Sequence, residues 1–276
     1  MKYILSFFAL VFFQNLVRSQ DTLVEKKSSD KWFVTIDVVN RYIWRGQSWG
    51  GNYAVIQPNI EYKVSDNFTF GTWATHNFKN EYFYPDNETY YKGYQEIDFY
   101  LDFKVNKYLS LKIWDYYWPS VEKVEGIDNS YFNYGKNGSK TVDFNVNFDF
   151  EEVWKPITFT ISTFLAGNDF RYDDFGNAKQ NFTTYVEAGH TFETFKKIEV
   201  NSTIGFVLNN QAGYYTAGSY ENPSLINLSL KATKEIYSHK KYAIPVFVNY
   251  VHNASSKNTE TFGKNFLLFG MSLKYN

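Results

Sequence analysis

The chain has 276 residues, 21% of them aromatic, with no cysteine and a formal charge of −1. Disulfide and thiolate chemistry are therefore excluded, and no basic footprint for nucleic acid is present. A mean hydropathy of −0.43, with no apolar run of about 18 residues after the N-terminus, excludes a helical membrane protein.

Residues 1–19 read as an export signal. Lys2 supplies the charged start, "ILSFFALVFF" the short apolar stretch, and Val17 and Ser19 the small residues before a cut at Gln20. Cleavage removes two cations, Lys2 and Arg18, and no acid, taking the formal charge from −1 to −3. Residues 20–31 then form a short polar lead-in to a domain covering 32–276.

From Trp32 onward apolar and polar residues alternate. "TVDFNVNFDF" places Val142, Phe144, Val146 and Phe148 on one face and Asp143, Asn145 and Asn147 on the other. Such alternation over about ten residues marks a strand with two different surroundings. Twelve segments behave this way: 32–45, 53–64, 68–78, 91–105, 109–118, 141–150, 156–166, 181–192, 197–208, 224–234, 242–252 and 265–275. Their length suits strands of about nine to eleven residues that cross a bilayer at a tilt. Short connections ("SDN", "NKY", "EEVWK", "ETFK", and "KEIYSHKK" as the longest) alternate with long polar ones. The pattern predicts an all-β fold: a transmembrane, antiparallel, up-and-down β-barrel of about twelve strands, with short periplasmic turns and longer external loops. An even strand number brings both ends of the barrel to the periplasmic side.

Because a charge facing lipid at mid-depth costs roughly 2–4 kcal/mol, the charged strand faces must look into a wet lumen. The expected pore lining is Asp37, Arg41 and Arg45 in the first strand and Glu61 and Lys63 in the second. The fourth adds Glu96, Asp98, Asp102 and Lys104, and the sixth Asp143. In "RYIWRG" the two cations alternate with Tyr42 and Trp44, which are expected at the lipid interface near the external rim. Tyr275 is expected at the other interface. The arginines either brace the wall against lumen carboxylates or give the pore a cationic stretch. If the latter, replacing both by alanine shifts ion preference toward cations.

"VVNRYIWRGQS", then "AVIQPNIEY", then "NFTFGTWAT" together resemble the opening of the TorF-type porin family. The matching positions are Tyr42, Arg45 and Gly46, then Gln57 and Pro58, then Gly71 and Trp73. The resemblance implies a bacterial outer-membrane channel. The closing "FGMSLKYN" resembles the terminal strand read by the outer-membrane assembly machinery, with Asn276 one residue beyond the usual aromatic end.

No HExxH, P-loop or GxSxG is present, and the four histidines show no metal spacing. His190 with Ser202 on the next strand is the nearest approach to a hydrolase pair, and "NDFRYDD" the nearest to a calcium loop. Neither is expected to function, so no catalytic residue, metal or cofactor is assigned. The partners expected are outer-membrane lipid, the assembly machinery and a small hydrophilic solute, not nucleic acid. The leading expectation is passive diffusion of that solute through the barrel. The alternatives are a non-conducting barrel that binds ligands through loops such as "YFYPDNETYYKGY", and a membrane-embedded hydrolase.

Overall fold

The computed structural model describes residues 31–79, 82–84, 89–91, 93–152, 154–194, 196–216, 224–254 and 263–275, with only the backbone of 82–84, 89–91, 214 and 216. The signal segment and the lead-in as far as residue 30 lie outside the described residues.

The chain begins with β1 (Trp32–Val39) and a small hairpin of β2 (Tyr42–Trp44) and β3 (Gln47–Trp49). Next come β4 (Val55–Lys63) and β5 (Phe68–His76), then the rim hairpin β6 (Tyr82–Tyr84) and β7 (Thr89–Tyr91). β8 (Gln95–Lys104), β9 (Leu109–Tyr117), β10 (Lys140–Asp149) and β11 (Ile157–Gly167) follow. A second rim hairpin, β12 (Phe170–Tyr172) with β13 (Ala178–Gln180), precedes β14 (Thr184–Glu193) and β15 (Glu199–Val207). The short helix α1 (Gly213–Thr216), β16 (Ser224–His239), β17 (Tyr242–His252) and β18 (Asn265–Tyr275) complete the described chain.

Twelve of these strands form one closed antiparallel barrel in the order β1-β18-β17-β16-β15-β14-β11-β10-β9-β8-β5-β4. β18 closes the ring on β1, from Val34 opposite Tyr275 to Val39 opposite Gly270. Closure leaves no unpaired edge strand, so ladder pairing runs right round the ring without water. The outward face is a continuous apolar band that includes Leu230, Phe269, Met271 and Leu273, all exposed. No described helix is long and apolar enough to cross a membrane. Short turns gather at one end of the barrel and long connections at the other, as the alternation of loop lengths predicts.

Two boundaries differ from the sequence reading by five residues or more. The first strand stops at Val39, because Asn40 completes the ladder with both backbone and side chain. Its backbone N donates to the Phe269 carbonyl, and its Nδ2 to that of Leu267, while Phe269 N donates back to its Oδ1. The chain then turns inward. At the short-turn end "KEIYSHKK" is not a connection; β16 runs on to His239 and only Lys240 and Lys241 turn. Beyond Thr233 β16 no longer pairs with β15, so its charged, exposed extension pairs with β17 alone.

Glycines inside the wall make room for rings that lie across the lumen face. A Cβ on Gly71 would stand 2.2 Å from the Tyr100 ring, and one on Gly270 would stand 2.1 Å from that of Phe247. A Cβ on Gly205 would stand 2.0 Å from the Tyr185 hydroxyl, which donates to Glu187 and accepts from Asn227. Gly205→Ala is therefore expected to lower stability by about 1–3 kcal/mol, the usual cost of overpacking. Urea unfolding of the refolded barrel reads this; an unchanged midpoint refutes the packing role.

The connection 118–139 is pinned to the outer wall. Lys140 is fully buried, pairs with Asp115 and lies 3.6 Å from the centre of the Tyr131 ring. Tyr117 and Tyr134 complete the cage, and Tyr131 and Tyr134 both donate to Asp115. Burial, reinforced by the charge of Asp115, pushes both phenols up to about 12, so they remain donors. The desolvation of Lys140 is thus offset by one carboxylate and three π-faces.

Candidate functional site

The β2–β3 hairpin folds into the barrel instead of extending the wall. Its two-residue turn is Arg45 and Gly46, with φ of 45° and 79°, the pattern of a type I′ turn. Three strand pairs close it: Tyr42 with Trp49, Ile43 with Ser48, and Trp44 with Gln47. Gly46 fits against the opposite backbone. A Cβ there would lie 1.9 Å from the Ile226 carbonyl oxygen, and the Gly46 carbonyl accepts from Asn253 Nδ2 at 2.8 Å.

The turn delivers the Arg45 guanidinium to β10 and β11, half-way round the ring from β1. Nη1 donates to Ser162 Oγ at 2.7 Å and to Tyr215 Oη at 2.6 Å. Nη2 donates to Asp143 Oδ2 at 2.9 Å and to Asn145 Oδ1 at 3.3 Å. The plane also lies over the Trp44 and Tyr185 rings, 4.6 and 4.9 Å from their centres. Asp143 has no solvent exposure; it accepts further bonds from Ser162 Oγ at 2.6 Å and Tyr116 Oη at 3.0 Å. A buried ion pair persists only when its remaining hydrogen-bonding capacity is also satisfied, and these two hydroxyls supply that.

Around the pair is an aromatic stack. Tyr215, on α1, is sandwiched with Trp44, Phe164 and Tyr185 at centre distances of 5.3, 5.6 and 5.6 Å. These rings join Tyr116, Val207, Ala212 and Ile226 in one buried cluster. A second cluster, with Val39, Tyr42, Val55, Val251, Phe266 and Leu268, fills the space at the root of the hairpin. The lumen is therefore packed toward its long-loop end. Toward the short-turn end it opens into a cavity of about 480 Å³ whose lining includes Glu61, Lys63, Asp102, Lys104 and Asp149.

Eight of the ten residues expected to line a pore lie on inward strand faces. Asp37 is on β1, and Glu61 and Lys63 are on β4, where Glu61 accepts from Tyr100 Oη at 2.6 Å. On β8, Glu96 accepts from Tyr94 Oη at 2.8 Å, Asp98 accepts from the Tyr117 backbone N, and Asp102 pairs with Lys112 at 3.0 Å. Lys104 ends that strand beside the cavity, and Asp143 sits beneath the hairpin. Phenol hydroxyls, more often than cations, partner these carboxylates.

The other two do not share a strand face with Asp37. Arg41 and Arg45 belong to the hairpin because the wall ends at Val39. Arg41 bonds Asn52 and lies over the Phe266 ring, while Arg45 crosses the lumen. Tyr42 and Trp44 are likewise not at a lipid interface. Tyr42 is buried against Trp73 and Tyr94, at 5.3 and 5.8 Å, and Trp44 stacks on Tyr215. Tyr275 faces outward next to Tyr242 at the short-turn end. Sequence reasoning placed Asn145 on the polar face with Asp143 but missed Ser162, Tyr185 and Tyr215; no motif marks these three, and they meet Arg45 only through barrel closure.

His190 and Ser202 do stand opposite each other on β14 and β15, but the Ser202 hydroxyl donates to the His190 carbonyl at 3.3 Å. In "NDFRYDD", Asp169 serves Thr183 and Gln180 whereas Asp173 serves Asn177 and Lys179. Among the described residues no three His, Cys, Asp or Glu side chains converge as a metal site. Of the loop "YFYPDNETYYKGY", β6 and β7 are described in backbone only.

No family model and no curated protein sequence matches the chain. Solved structures do. The NanC porin aligns with 88% of this chain and 99% of its own, at 5% identity and a TM-score of 0.50. A Pseudomonas aeruginosa FadL homologue aligns over 89% and 90% at 11% identity, with a TM-score of 0.37. Salmonella typhi OmpF aligns over 89% and 96% at 7% identity, with a TM-score of 0.37. The fold is that of the outer-membrane β-barrels.

Proposed function

We propose that this chain is an outer-membrane channel of the TorF type that passes small hydrophilic solutes by diffusion and is held closed by its first external loop. One observation carries the reading: a closed barrel with a polar, cavity-forming lumen at one end is stoppered at the other by a hairpin anchored through Arg45. In this reading residues 1–19 are a cleaved export signal, the short turns face the periplasm, and β18 is presented to the assembly machinery. The apolar band then meets membrane lipid. The inward carboxylates and lysines line the path, and chemistry plays no part.

Single-channel recording of the refolded protein in a planar bilayer tests this. Infrequent discrete openings are expected, since the hairpin must leave its seat for solute to pass. A folded, heat-modifiable barrel that never conducts rejects the channel. The packing of the stopper itself favours that second reading, a non-conducting barrel that binds through its loops.

The cavity also predicts ion preference. Glu61, Asp66, Asp102, Asp149, Glu151 and Glu152 line it against Lys63, Lys104 and Lys107, so its fixed charge is negative. A narrow lumen selects through such charge. In a salt gradient the open state is expected to give a reversal potential on the cation side, moved toward zero by Glu151→Gln with Glu152→Gln. An anion-side potential refutes the assignment.

A further inference from the structure

We propose that the pocket now filled by Arg45 is a recognition site for a guanidinium-bearing solute, and that the hairpin acts as its internal competitor. The inference rests on the channel reading only for its consequence, displacement of the stopper; the binding site itself stands on the geometry of the wall.

That geometry is built for a flat, forked cation. The acceptors come from separate elements: Asp143 and Asn145 on β10, Ser162 on β11 and Tyr215 on α1. They divide between the two terminal nitrogens, as a planar guanidinium requires and a compact ammonium does not. The Tyr185 ring, which belongs to the wall, supplies a π-face. Asp143 and Ser162 are buried, and Asp143 is already oriented by bonds from the Ser162 and Tyr116 hydroxyls. Asn145 is 6% exposed, and its Nδ2 finds no hydrogen-bond partner among the described residues. The pocket thus holds one donor that Arg45, which has no acceptor, cannot satisfy. A free solute carrying a guanidinium and a neighbouring carbonyl or carboxylate oxygen could satisfy it.

The competitor is covalently tethered, and only its tip enters. Once the hairpin lifts, a buried carboxylate is left with hydroxyl donors but no cation, on the strand face that carries Asn147 and Asp149 of the negatively lined cavity. That state favours capture of a solute of the same chemistry as the side chain that left.

The test uses Arg45→Gly, which vacates the pocket and places glycine where φ is 45°, so the turn itself is favoured. Heat-modifiability verifies the barrel. Calorimetry in detergent with methylguanidinium as the probe is expected to show binding at least tenfold tighter than to methylammonium. Wild type is expected to bind the probe at least tenfold more weakly than the variant, and Asp143→Asn in the variant to abolish the binding. Equal affinity for the two cations, or no binding by the glycine variant, overturns the proposal. Should Arg45→Gly not refold, Arg45→Ala, which also vacates the pocket, takes its place with the same probes under the same criteria. Conductance is recorded separately. A variant that binds the probe but never conducts rejects the channel and leaves the site; a variant that conducts without binding does the reverse.

Discussion

Arg45→Ala is expected to raise the open probability several-fold while leaving the barrel folded. The wild-type side chain makes four hydrogen bonds, one of them to a carboxylate with no solvent exposure. Removing one partner of a buried ion pair costs about 3–5 kcal/mol, because the remaining charge is stranded. In most proteins that cost destabilises the whole fold. Here the hairpin is a separate element whose three-residue strands pair only with each other, so the cost is relieved by lifting it and admitting water to Asp143. The twelve ladders are untouched. Alanine is the informative replacement because it carries a Cβ like arginine; the strain of a positive φ is the same in both. Recordings beside a urea titration separate the two effects. An unchanged open probability with a lowered unfolding midpoint would make Arg45 a brace of the wall and not a latch.

Asp143→Asn is expected to open the channel less. The amide oxygen still accepts from Arg45, but a charged partner becomes neutral, and charge-assisted bonds are roughly twice as strong as neutral ones. The double replacement should open less than Arg45→Ala alone, since neutralising Asp143 removes the stranded charge that drives the hairpin out.

The barrel was legible because its wall separates two solvents. Each strand alternates, and the difference between short turns and long loops survives in the spacing. The stopper was not legible, for the same reason. An aromatic-lined lumen and a lipid-facing wall reward the same residues at the same period. Tyr42 and Trp44 therefore read as a lipid-facing continuation of the first strand, although the wall ends at Val39. The signal that separates them is Asn40, whose side chain completes a ladder, and Arg45-Gly46, a turn pair with arginine where asparagine or aspartate is usual. The long β16 was hidden by its charge: Lys234, Glu235 and His239 read as a connection because that stretch has water on both sides, where alternation has no purpose. Asp143 and Arg45 lie on elements that only closure brings together, so no local pattern could pair them.

Gly46→Val separates the fit of the hairpin from the charge at its tip. The substitution keeps Arg45 and every group that receives it. It places a branched side chain where even a Cβ would stand 1.9 Å from the Ile226 carbonyl oxygen and 2.8 Å from its carbon. Ile226 stands at a bulge of β16, between Leu225 and Asn227, whose pairing with Phe206 and Gly205 of β15 holds the bulge on both sides. The φ of 79° adds to the penalty, since a β-branched residue is a genuine outlier in that region. The hairpin must therefore ride out of its seat, losing the Asn253 bond to the Gly46 carbonyl and drawing Arg45 away from Asp143. An open probability as high as that of Arg45→Ala is expected, with an unchanged cation-side reversal potential, because the charges of the cavity stay in place. If Gly46→Val stays closed while Arg45→Ala opens, the hairpin can shift and still latch, and the ion pair alone controls the gate. If both open alike, closure needs the turn and the salt bridge together, and the glycine that follows the arginine is as much a part of the latch as the arginine itself.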